Sequence, residues 1–423
     1  MIIKIPLFLK NSLISFCFMF FPILSALLFI PLNIGHLGLN LWGAYNLSIS
    51  FFFIVMYFNI GIGPSVNRLI AIHHEKGNIK EELDIVHSGF FINLFVTIII
   101  VSLMLIFQNI IIEYSFRKST LLIELNEIKK LFFWTSVSSG IYLLISYFRN
   151  VLEGRQLFLF VSISRAVIGS FIIAAPLLSN KENLSESGFY IFLMLAIILM
   201  AYIFYFMRFY ELPKVKSISV KSVKNILNQG VLISLHSFIN PVYIYFDRFL
   251  IGNKLGVDFV GIYTSFYDVI SRTTVVPSSI SGGLFPAVAA VSDCSNKSKK
   301  ILYKALQINF VISLLPAIVI IVFGHELLVL WLGKEITSGY NNVIIVISIA
   351  YFLQGFNLIF LRFLQGIKIF KFSLYINLFL LVIYIPVLFY SINSFGVIGV
   401  AVTFLIKNII ELSLNFYKLS NIK

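Results

Sequence analysis

The sequence predicts an all-α protein that crosses a membrane many times. Of its 423 residues, 59% are hydrophobic and 12% are charged, and the mean hydropathy is +0.97. A soluble protein carries about 25% charged residues, so this composition argues against one. Apolar runs long enough to span a bilayer as a helix, about 20 residues each, recur from one end of the chain to the other. We therefore predict a polytopic membrane protein.

About twelve spans can be placed along the chain. Each is an apolar run bounded by polar or basic residues. The approximate limits are 12–32, 44–64, 86–112, 131–149, 157–178, 189–209, 229–252, 261–285, 304–323, 341–361, 372–392 and 397–417. The connecting loops are short, with the longest about 20 residues, so no extramembrane catalytic domain is expected.

The charge of the loops predicts the orientation of the chain. One alternating set of loops and termini carries about 21 Lys and Arg residues, among them Arg149 and Arg155, whereas the opposite set carries about seven. Because basic loops stay in the cytoplasm, both termini are predicted to be cytoplasmic. The net charge of +14 is thereby explained by topology, and no nucleic acid partner is expected.

The chain repeats itself once. Residues 37–45 and 255–263 share the pattern L-G-x-[ND]-x-x-G-x-Y at an offset of 218. A second pattern, L-x-G-x-x-x-F-x-F, occurs at 152–160 and again at 364–372, at an offset of 212. Two matches in order, at offsets near half the chain length, indicate a duplication. Because each half holds six spans, an even number, the two copies are predicted to be parallel repeats.

The duplication predicts two lobes. We expect an N-terminal six-helix lobe at 1–213, a basic cytoplasmic linker at 214–228 and a C-terminal six-helix lobe at 229–423. Two bundles of parallel repeats around a central cavity form a transporter architecture that works by alternating access.

The candidate site residues are polar groups inside apolar spans. A charged group at the centre of a spanning helix costs about 2.5–3.5 kcal/mol on insertion scales, so it is expected to face a wet cavity or a partner. The candidates for a substrate or ion cavity are Arg165, His236, Asn240, Asp247, Arg248, Asp268, Arg272, Lys407 and Glu411.

Spacing relates several of these residues. His236, Asn240, Tyr243 and Asp247 follow one another at steps of four, three and four, which places them on one stripe of a helix. Asp268 and Arg272 are four residues apart, as are Lys407 and Glu411, and each pair can interact within its helix. The alternative to a cavity is a structural role as paired groups between helices, and for Lys407 and Glu411 the local pair is the preferred interpretation.

The charges inside the spans indicate the kind of cargo. Four cationic candidates oppose three carboxylates, so the cavity is expected to be neutral to slightly cationic, which suits an anionic or sugar-pyrophosphate cargo. No phosphate-binding loop, His/Cys cluster or nucleophile elbow occurs, so we expect no cofactor, no metal and no enzymatic activity. His73-His74-Glu75 is predicted to be a solvated loop.

Several motifs resemble those of a known family. They are Asn59-Ile60-Gly61-Ile62-Gly63-Pro64 followed by Arg68, Phe246-Asp247-Arg248-Phe249-Leu250-Ile251-Gly252 with Gly261-Ile262-Tyr263, Phe285-Pro286, Leu364-Gln365-Gly366 and Gly396-Val397-Ile398-Gly399-Val400-Ala401. Their order and the span count resemble the O-antigen (Wzx) type of polysaccharide flippase, in the multidrug/oligosaccharidyl-lipid/polysaccharide (MOP) exporter superfamily. The resemblance covers nearly the whole chain.

The resemblance implies a fold like that of MATE transporters, with twelve helices in two lobes. It implies an inner-membrane protein that moves undecaprenyl-pyrophosphate-linked oligosaccharide, an O-antigen or related repeat unit, from the cytoplasmic to the periplasmic leaflet. The implied partners are this glycolipid, membrane lipids, and the polymerase and chain-length regulator of the same pathway. By position, the cavity residues it implies are Arg165, Asp247, Arg248, Asp268 and Arg272.

Two other functions remain open at this point. A multidrug or cation antiporter of the same superfamily would share the architecture but would need a more acidic cavity. An O-antigen polymerase or ligase would carry a large periplasmic loop, and no loop of this chain is long enough.

Overall fold

The structure is a computed structural model, and it describes the chain except for residues 1–6, 57–60, 120–123, 212–218, 290, 292–294, 368 and 422–423. The secondary structure of the described residues is helical throughout. The chain divides into two compact units, Met1–Asn253 and Lys254–Lys423. Residues 214–218 of the predicted linker lie outside the described part of the structure, and residues 220–228 are the start of a helix that packs with the first unit.

The residues described in the first unit form seven α-helices. They are α1 (Leu7–Met56), α2 (Ile62–Glu75), α3 (Ile79–Ser115), α4 (Leu125–Gly154), α5 (Phe158–Ala174), α6 (Ser185–Phe206) and α7 (Val220–Lys254), the last ending at the boundary. A 3-10 turn, Ala175–Leu178, extends α5. The densest packing within this unit joins α4 to α6 and α1 to α5.

The second unit contains the remaining helices. They are α8 (Val257–Ile270), α9 (Val275–Ala289), α10 (Ser295–Leu332), α11 (Lys334–Thr337), α12 (Asn341–Gly366), α13 (Phe370–Phe395) and α14 (Val397–Ser420). A 3-10 turn, Ser271–Thr274, joins α8 to α9 in one helical run. A hydrophobic core of α9, α10, α12 and α14 side chains, including Leu302 and Phe360, holds the unit together.

The helices agree with the predicted spans. Among the described residues, nine helices are long and apolar enough to cross a membrane, and α1 is one of them at 40 qualifying residues. A break at Gly38 divides α1 into two spans. With α7 and the α8–α9 run added, the helices are consistent with the twelve predicted spans. The predicted all-α polytopic fold is confirmed.

The first repeated motif has the same backbone geometry in both copies. Gly38 has φ 78° and ψ 168°. Gly256, at the matching position, has φ 110° and ψ 165°. This region of backbone conformation is essentially restricted to glycine, because a β-carbon would clash with the flanking backbone. In each copy the glycine ends one helix and starts the next.

The second repeated motif also keeps its geometry. The amide of Leu157 donates to the carbonyl of Leu152 at 3.0 Å, and 212 residues later the amide of Ile369 donates to Leu364 at 2.8 Å. This is the bond that closes a helix end in the Schellman manner. Gln156 supplies the left-handed residue in the first copy, with φ 63°.

A proline in the first unit is compensated by side chains of α1. Pro176 has no N–H, so it cannot bond to the carbonyl of Ile172 four residues earlier. The hydroxyl of Tyr45 donates to that carbonyl instead. Asn33 donates to the neighbouring carbonyl of Ile173 at 2.8 Å. Because no water reaches the bilayer core, these bonds fix α1 against α5.

The glycine breaks are directly testable. Gly38→Ala and Gly256→Ala should each destabilise the protein by about 1–3 kcal/mol, since alanine must be held in a region of φ and ψ that costs this much. Gly282→Ala is the matched control. Gly38 and Gly282 both have no atom within 4 Å of an added β-carbon, but Gly282 lies inside α9 at ordinary helical angles.

Thermal unfolding of the purified variants in detergent would measure this difference. Gly282→Ala should leave stability unchanged or raise it by about 0.5–1 kcal/mol. If Gly38→Ala and Gly256→Ala unfold at the wild-type temperature, the positive φ angles are not required at these positions.

Candidate functional site

The polar stripe predicted on α7 is described in part. The backbones of His236 and Asn240 lie within the helix, but their side chains are outside the described part of the structure. Tyr243 and Asp247 are both buried, at 2% and 1% exposure. Their role in a cavity stays a prediction.

Arg248 is buried against α1. Its Nη1 donates to the Ser50 hydroxyl at 3.2 Å, and its guanidinium carbon lies 5.1 Å from the centre of the Tyr245 ring. Tyr245 in turn stacks on Phe53 at 5.6 Å. These contacts give the Arg248 charge a polar and aromatic environment inside the first unit.

The end of α7 is fixed to the end of α3. Asn253 donates to the carbonyl of Tyr114 at 2.7 Å. A β-carbon at Gly252 would lie 2.6 Å from the carbonyl oxygen of Ser115, so only glycine permits this close approach. Together with Arg248, these contacts explain why α7 packs with the first unit although the repeat starts a new half there.

Asp268 and Arg272 lie on either side of a change in helix type. Asp268 is in α8, whereas Arg272 is in the 3-10 turn Ser271–Thr274. The sequence predicts one continuous α-helix over 261–285, which is wrong at this turn. Pro277 removes the N–H that would bond to the Thr273 carbonyl, so regular α-helical bonding fails there. The predicted ion pair stays a prediction.

Lys407 and Glu411 form the buried pair that their spacing predicts. Lys407 Nζ lies 2.6 Å from Glu411 Oε2, and both side chains are at most 10% exposed. An amide network borders the pair, because Asn357 donates to the carbonyl of Asn408 at 3.1 Å and accepts from Asn415 at 3.2 Å. This network ties α12 to α14 in the second unit.

Among the candidates whose side chains the structure describes, Arg165 has the most accessible charge. Its side chain is 46% exposed, and its Nη2 pairs with Oε1 of Glu153, whose side chain is 11% exposed. The other carboxylate oxygen accepts from Asn67 Nδ2 at 3.2 Å. Residues of α2, α4 and α5 therefore meet at one carboxylate. The sequence analysis missed Glu153, which falls just beyond the predicted end of its span.

A second arginine lies beside this pair. Loop charge assigns Arg149 to a cytoplasmic loop, but α4 continues to Gly154, so Arg149 lies within the helix. It donates to the hydroxyls of Tyr142 and Ser146, each at 3.1 Å. Its buried Nε has no hydrogen-bond partner in the described part of the structure. The i,i+4 spacing of Arg149 and Glu153 was the signal available in the sequence.

We call Arg149, Arg165, Glu153 and Asn67 the α4–α5 cluster. It contains two guanidinium groups and one carboxylate, so it carries an excess positive charge. Guanidinium groups bind carboxylates and phosphates with paired hydrogen bonds, and Arg keeps its charge when buried. The cluster is therefore suited to an anion.

The opposite face of α5 is apolar. Ile163, Val167 and Phe171 line a groove of about 360 Å³ that also contains Phe18 and Phe21 of α1. The helix thus separates a charged side from an apolar one.

A second charged cluster joins the ends of α2, α3, α4 and α6. Glu82 is 1% exposed and accepts from Arg155 Nε at 2.7 Å, from His74 Nδ1 at 3.3 Å and from the hydroxyl of Tyr210. Burial raises the pKa of Tyr210 well above its usual value, so its hydroxyl stays protonated as a donor. These contacts fix the segment after α6 that precedes the predicted 214–228 linker.

The prediction of a loop at His73-His74-Glu75 is wrong, whereas its predicted solvation agrees with the 49% exposure of the His74 side chain. These residues form the last turn of α2. His73 Nδ1 lies 2.8 Å from Glu81 Oε2, and His74 approaches Glu82. The short α2–α3 turn brings the two histidines back onto the two glutamates, a tertiary contact that adjacent letters in the sequence do not reveal.

Comparison with known proteins identifies the family. The sequence model of a family described as polysaccharide biosynthesis protein matches residues 8–292, well over half of the chain. The chain belongs to the polysaccharide biosynthesis protein family. A second family model, described as MatE, matches residues 233–390.

Individual relatives agree with this family. The chain is 25% identical over 411 residues to a Shigella flexneri protein provisionally described as an O-antigen transporter, and the match covers 95% of each chain. An inward-facing MATE transporter of the MOP superfamily matches with a TM-score of 0.80 and 15% identity, covering 94% of each chain. The lipid II flippase MurJ matches with a TM-score of 0.73 and 16% identity, covering 97% of this chain and 87% of MurJ.

These matches confirm the resemblance predicted from the motifs. At such low identity the solved structures show the fold alone, which is the fold of MATE transporters. The apolar helices and these relatives together identify a multi-pass membrane protein.

Variants of the buried Lys407–Glu411 pair in α14 can distinguish a structural role of the pair from a role in transport. Lys407→Met alone should destabilise the protein by about 3–5 kcal/mol, because it leaves the Glu411 carboxylate buried without its cation. Lys407→Met combined with Glu411→Leu should recover most of that loss. Denaturant unfolding of both single variants and the double variant in detergent gives the coupling between the two sites.

If the double variant loses the sum of the stabilities that the two single variants lose, the two residues do not interact and the pairing is contradicted. If the double variant is stable and the cells still transport, the pair is structural. If it is stable but transport is lost, Lys407 or Glu411 acts on cargo or on a coupling ion.

Proposed function

We propose that this protein is a flippase for undecaprenyl-pyrophosphate-linked oligosaccharide, an O-antigen or related repeat unit. It would act in the bacterial inner membrane with both termini in the cytoplasm, and would move its cargo to the periplasmic leaflet without catalysing a reaction. The observation that carries this proposal is the excess guanidinium charge of the α4–α5 cluster, held inside spanning helices of a polysaccharide biosynthesis family member.

The chemistry of the cargo suits this cluster. A pyrophosphate diester is anionic and offers several oxygens to guanidinium donors. Arg165 is open to an incoming group, and Arg149 has an unused buried donor. The sugars need hydrogen-bonding side chains, which the predicted cavity residues on α7 and α8 would supply. The polyprenyl chain stays in the bilayer, because each buried CH₂ contributes about 0.8 kcal/mol to its retention.

Alternating access of the two sequence halves would carry the headgroup across. The halves would move about the predicted 214–228 linker, and an ion gradient would drive the cycle. The proposed carriers of the ion are Asp247, Asp268 and Glu411, and His236, Asn240, Arg248, Arg272 and Lys407 complete the proposed cavity. The polymerase and the chain-length regulator of the same pathway are the proposed partners that receive the product.

A small-cation antiporter is the second candidate. The MatE family match over 233–390 and the MATE structures favour it. Export of a cation needs a carboxylate that is open to the cargo. In the α4–α5 cluster the single carboxylate is already engaged by Arg165 and Asn67. In α14 the Glu411 carboxylate is engaged by Lys407. Both observations favour an anionic cargo.

Leaflet accessibility of the glycolipid tests this proposal. In cells lacking the protein, lipid-linked repeat units should be inaccessible to a lectin in intact spheroplasts and accessible in broken membranes. The wild-type gene should restore exposure. Arg149→Gln, present at wild-type levels, should reduce the rate of exposure about tenfold or more, since hydrogen bonds from a charged group contribute about 1.5–3 kcal/mol.

Two controls accompany this experiment. Arg149→Lys retains the charge and should retain part of the activity. Lys130→Gln removes a charge from an exposed position on the same helix and should have no effect. If glycolipid is fully exposed in cells lacking the protein, translocation is not its function.

A further inference from the structure

We propose that Glu153 is a built-in counter-anion that occupies Arg165 until the phosphate groups of the cargo displace it. The inference rests on the proposed function and names one further residue that sets the affinity for cargo. The Glu153 side chain is mostly covered, at 11% exposure, and its carboxylate is directed into the α4–α5 cluster.

Both oxygens of the Glu153 carboxylate are engaged. Oε1 pairs with Arg165 Nη2, and Oε2 accepts from Asn67 Nδ2 at 3.2 Å. The carboxylate is thus held by α2 on one side and by α5 on the other. It mimics an anionic ligand of the cluster, because a phosphate oxygen would make the same kind of bond with the same guanidinium.

Arg165 remains accessible while it is paired. Its side chain is 46% exposed, whereas that of Glu153 is 11% exposed, so the carboxylate lies on the covered side of the guanidinium. Arg has five N–H donors, and one of its nitrogens makes the bond to Glu153. An incoming anion can therefore contact Arg165 before Glu153 leaves it.

Arg149 makes the exchange favourable. Within the described part of the structure its partners are the neutral hydroxyls of Tyr142 and Ser146, and no carboxylate lies within ion-pair distance of it. It is also close enough to Arg165 for the two charges to repel each other, and the single Glu153 carboxylate attracts both arginines. A cluster with two cations and one anion is balanced electrically only when a further anion binds.

The competition by Glu153 would serve release as well as binding. A transporter must bind its cargo well enough to load and weakly enough to unload. Without Glu153, two arginines would hold a pyrophosphate group with no competitor. With Glu153 present, the carboxylate reoccupies Arg165 as the phosphate leaves, so the empty cluster is stabilised for the return step.

A purely structural role for Glu153 predicts different behaviour. If the pair only fastens α4 to α5, removing its charge lowers stability and leaves the affinity for anions unchanged or weaker. If Glu153 is a competitor for Arg165, removing its charge raises that affinity. The direction of the change therefore separates the two roles.

The test uses Glu153→Gln in the purified full-length protein in nanodiscs. Isothermal titration in the nanodiscs with inorganic pyrophosphate and with farnesyl pyrophosphate measures the affinity, and a fluorescent glycolipid in sealed proteoliposomes measures translocation. We expect Glu153→Gln to bind both probes about tenfold more tightly. The half-saturating glycolipid concentration and the maximal rate should both fall, since release becomes slower.

A double variant shows whether the effect passes through Arg165. The gain in affinity should be absent when Glu153→Gln is combined with Arg165→Gln. Glu127→Gln is the matched control. Like Glu153, Glu127 is a paired carboxylate on α4, but it lies at the other end of the helix, and its partners are Lys130 and Ser185. Its affinity for pyrophosphate should equal that of the wild type.

Unchanged or weaker pyrophosphate binding by Glu153→Gln would overturn this inference, as would a gain that persists without Arg165. If Glu153→Gln is too unstable to purify, Glu153→Asp replaces it. Its shorter carboxylate should also tighten binding, although less than Glu153→Gln does, and unchanged or weaker binding by Glu153→Asp would likewise overturn the inference. If instead the wild type restores glycolipid exposure in cells while Glu153→Gln binds no more tightly, the proposed function stands and only the role of Glu153 fails.

Discussion

The constraint on which this structure depends is that polar groups among apolar helices must find partners within the protein. Water does not reach the bilayer core, so a freed carbonyl or an unbalanced charge there carries its full cost. Tyr45 donates to the Ile172 carbonyl that Pro176 releases. Lys407 and Glu411 balance each other inside α14. The bond from Tyr45 fixes α1 against α5, and the Lys407–Glu411 pair stabilises α14.

The same constraint indicates what kind of ligand the α4–α5 cluster binds. The hydrogen-bond partners of Arg149 are hydroxyls, and its Nε has no hydrogen-bond partner in the described part of the structure. Such a group is costly unless a ligand compensates it for part of the time. An anionic ligand would therefore stabilise the empty cluster. This agrees with the proposed cargo, which carries pyrophosphate.

Much of the fold could be predicted from the sequence because span length and the glycine pattern are local signals. The break at Gly38 and its copy at Gly256 lie in a repeated motif of nine residues, and the i,i+4 spacing predicts the pairing of Lys407 with Glu411. The partner of Arg165 could not be predicted in this way. Glu153 lies on another helix, and hydropathy placed the end of that helix at residue 149, short of its true end at Gly154.

Tertiary contacts explain the other differences. The α2–α3 turn brings His73 and His74 onto Glu81 and Glu82, and nothing in the local sequence specifies that turn's direction. The packing of α7 with the first unit likewise depends on Gly252, Asn253 and Arg248 meeting α3 and α1. The sequence repeat assigns α7 to the second half of the chain, whereas these contacts pack α7 against helices of the first unit.

The central claim is that the protein moves an anionic lipid-linked cargo, and reconstitution tests it most directly. Purified protein would be placed in liposomes with a fluorescent pyrophosphate-linked oligosaccharide lipid in both leaflets, and in parallel with a cationic dye inside. A membrane-impermeant quencher would then report the movement of the lipid. The account predicts faster equilibration of the glycolipid between leaflets and no export of the dye. Export of the dye without movement of the glycolipid would contradict it.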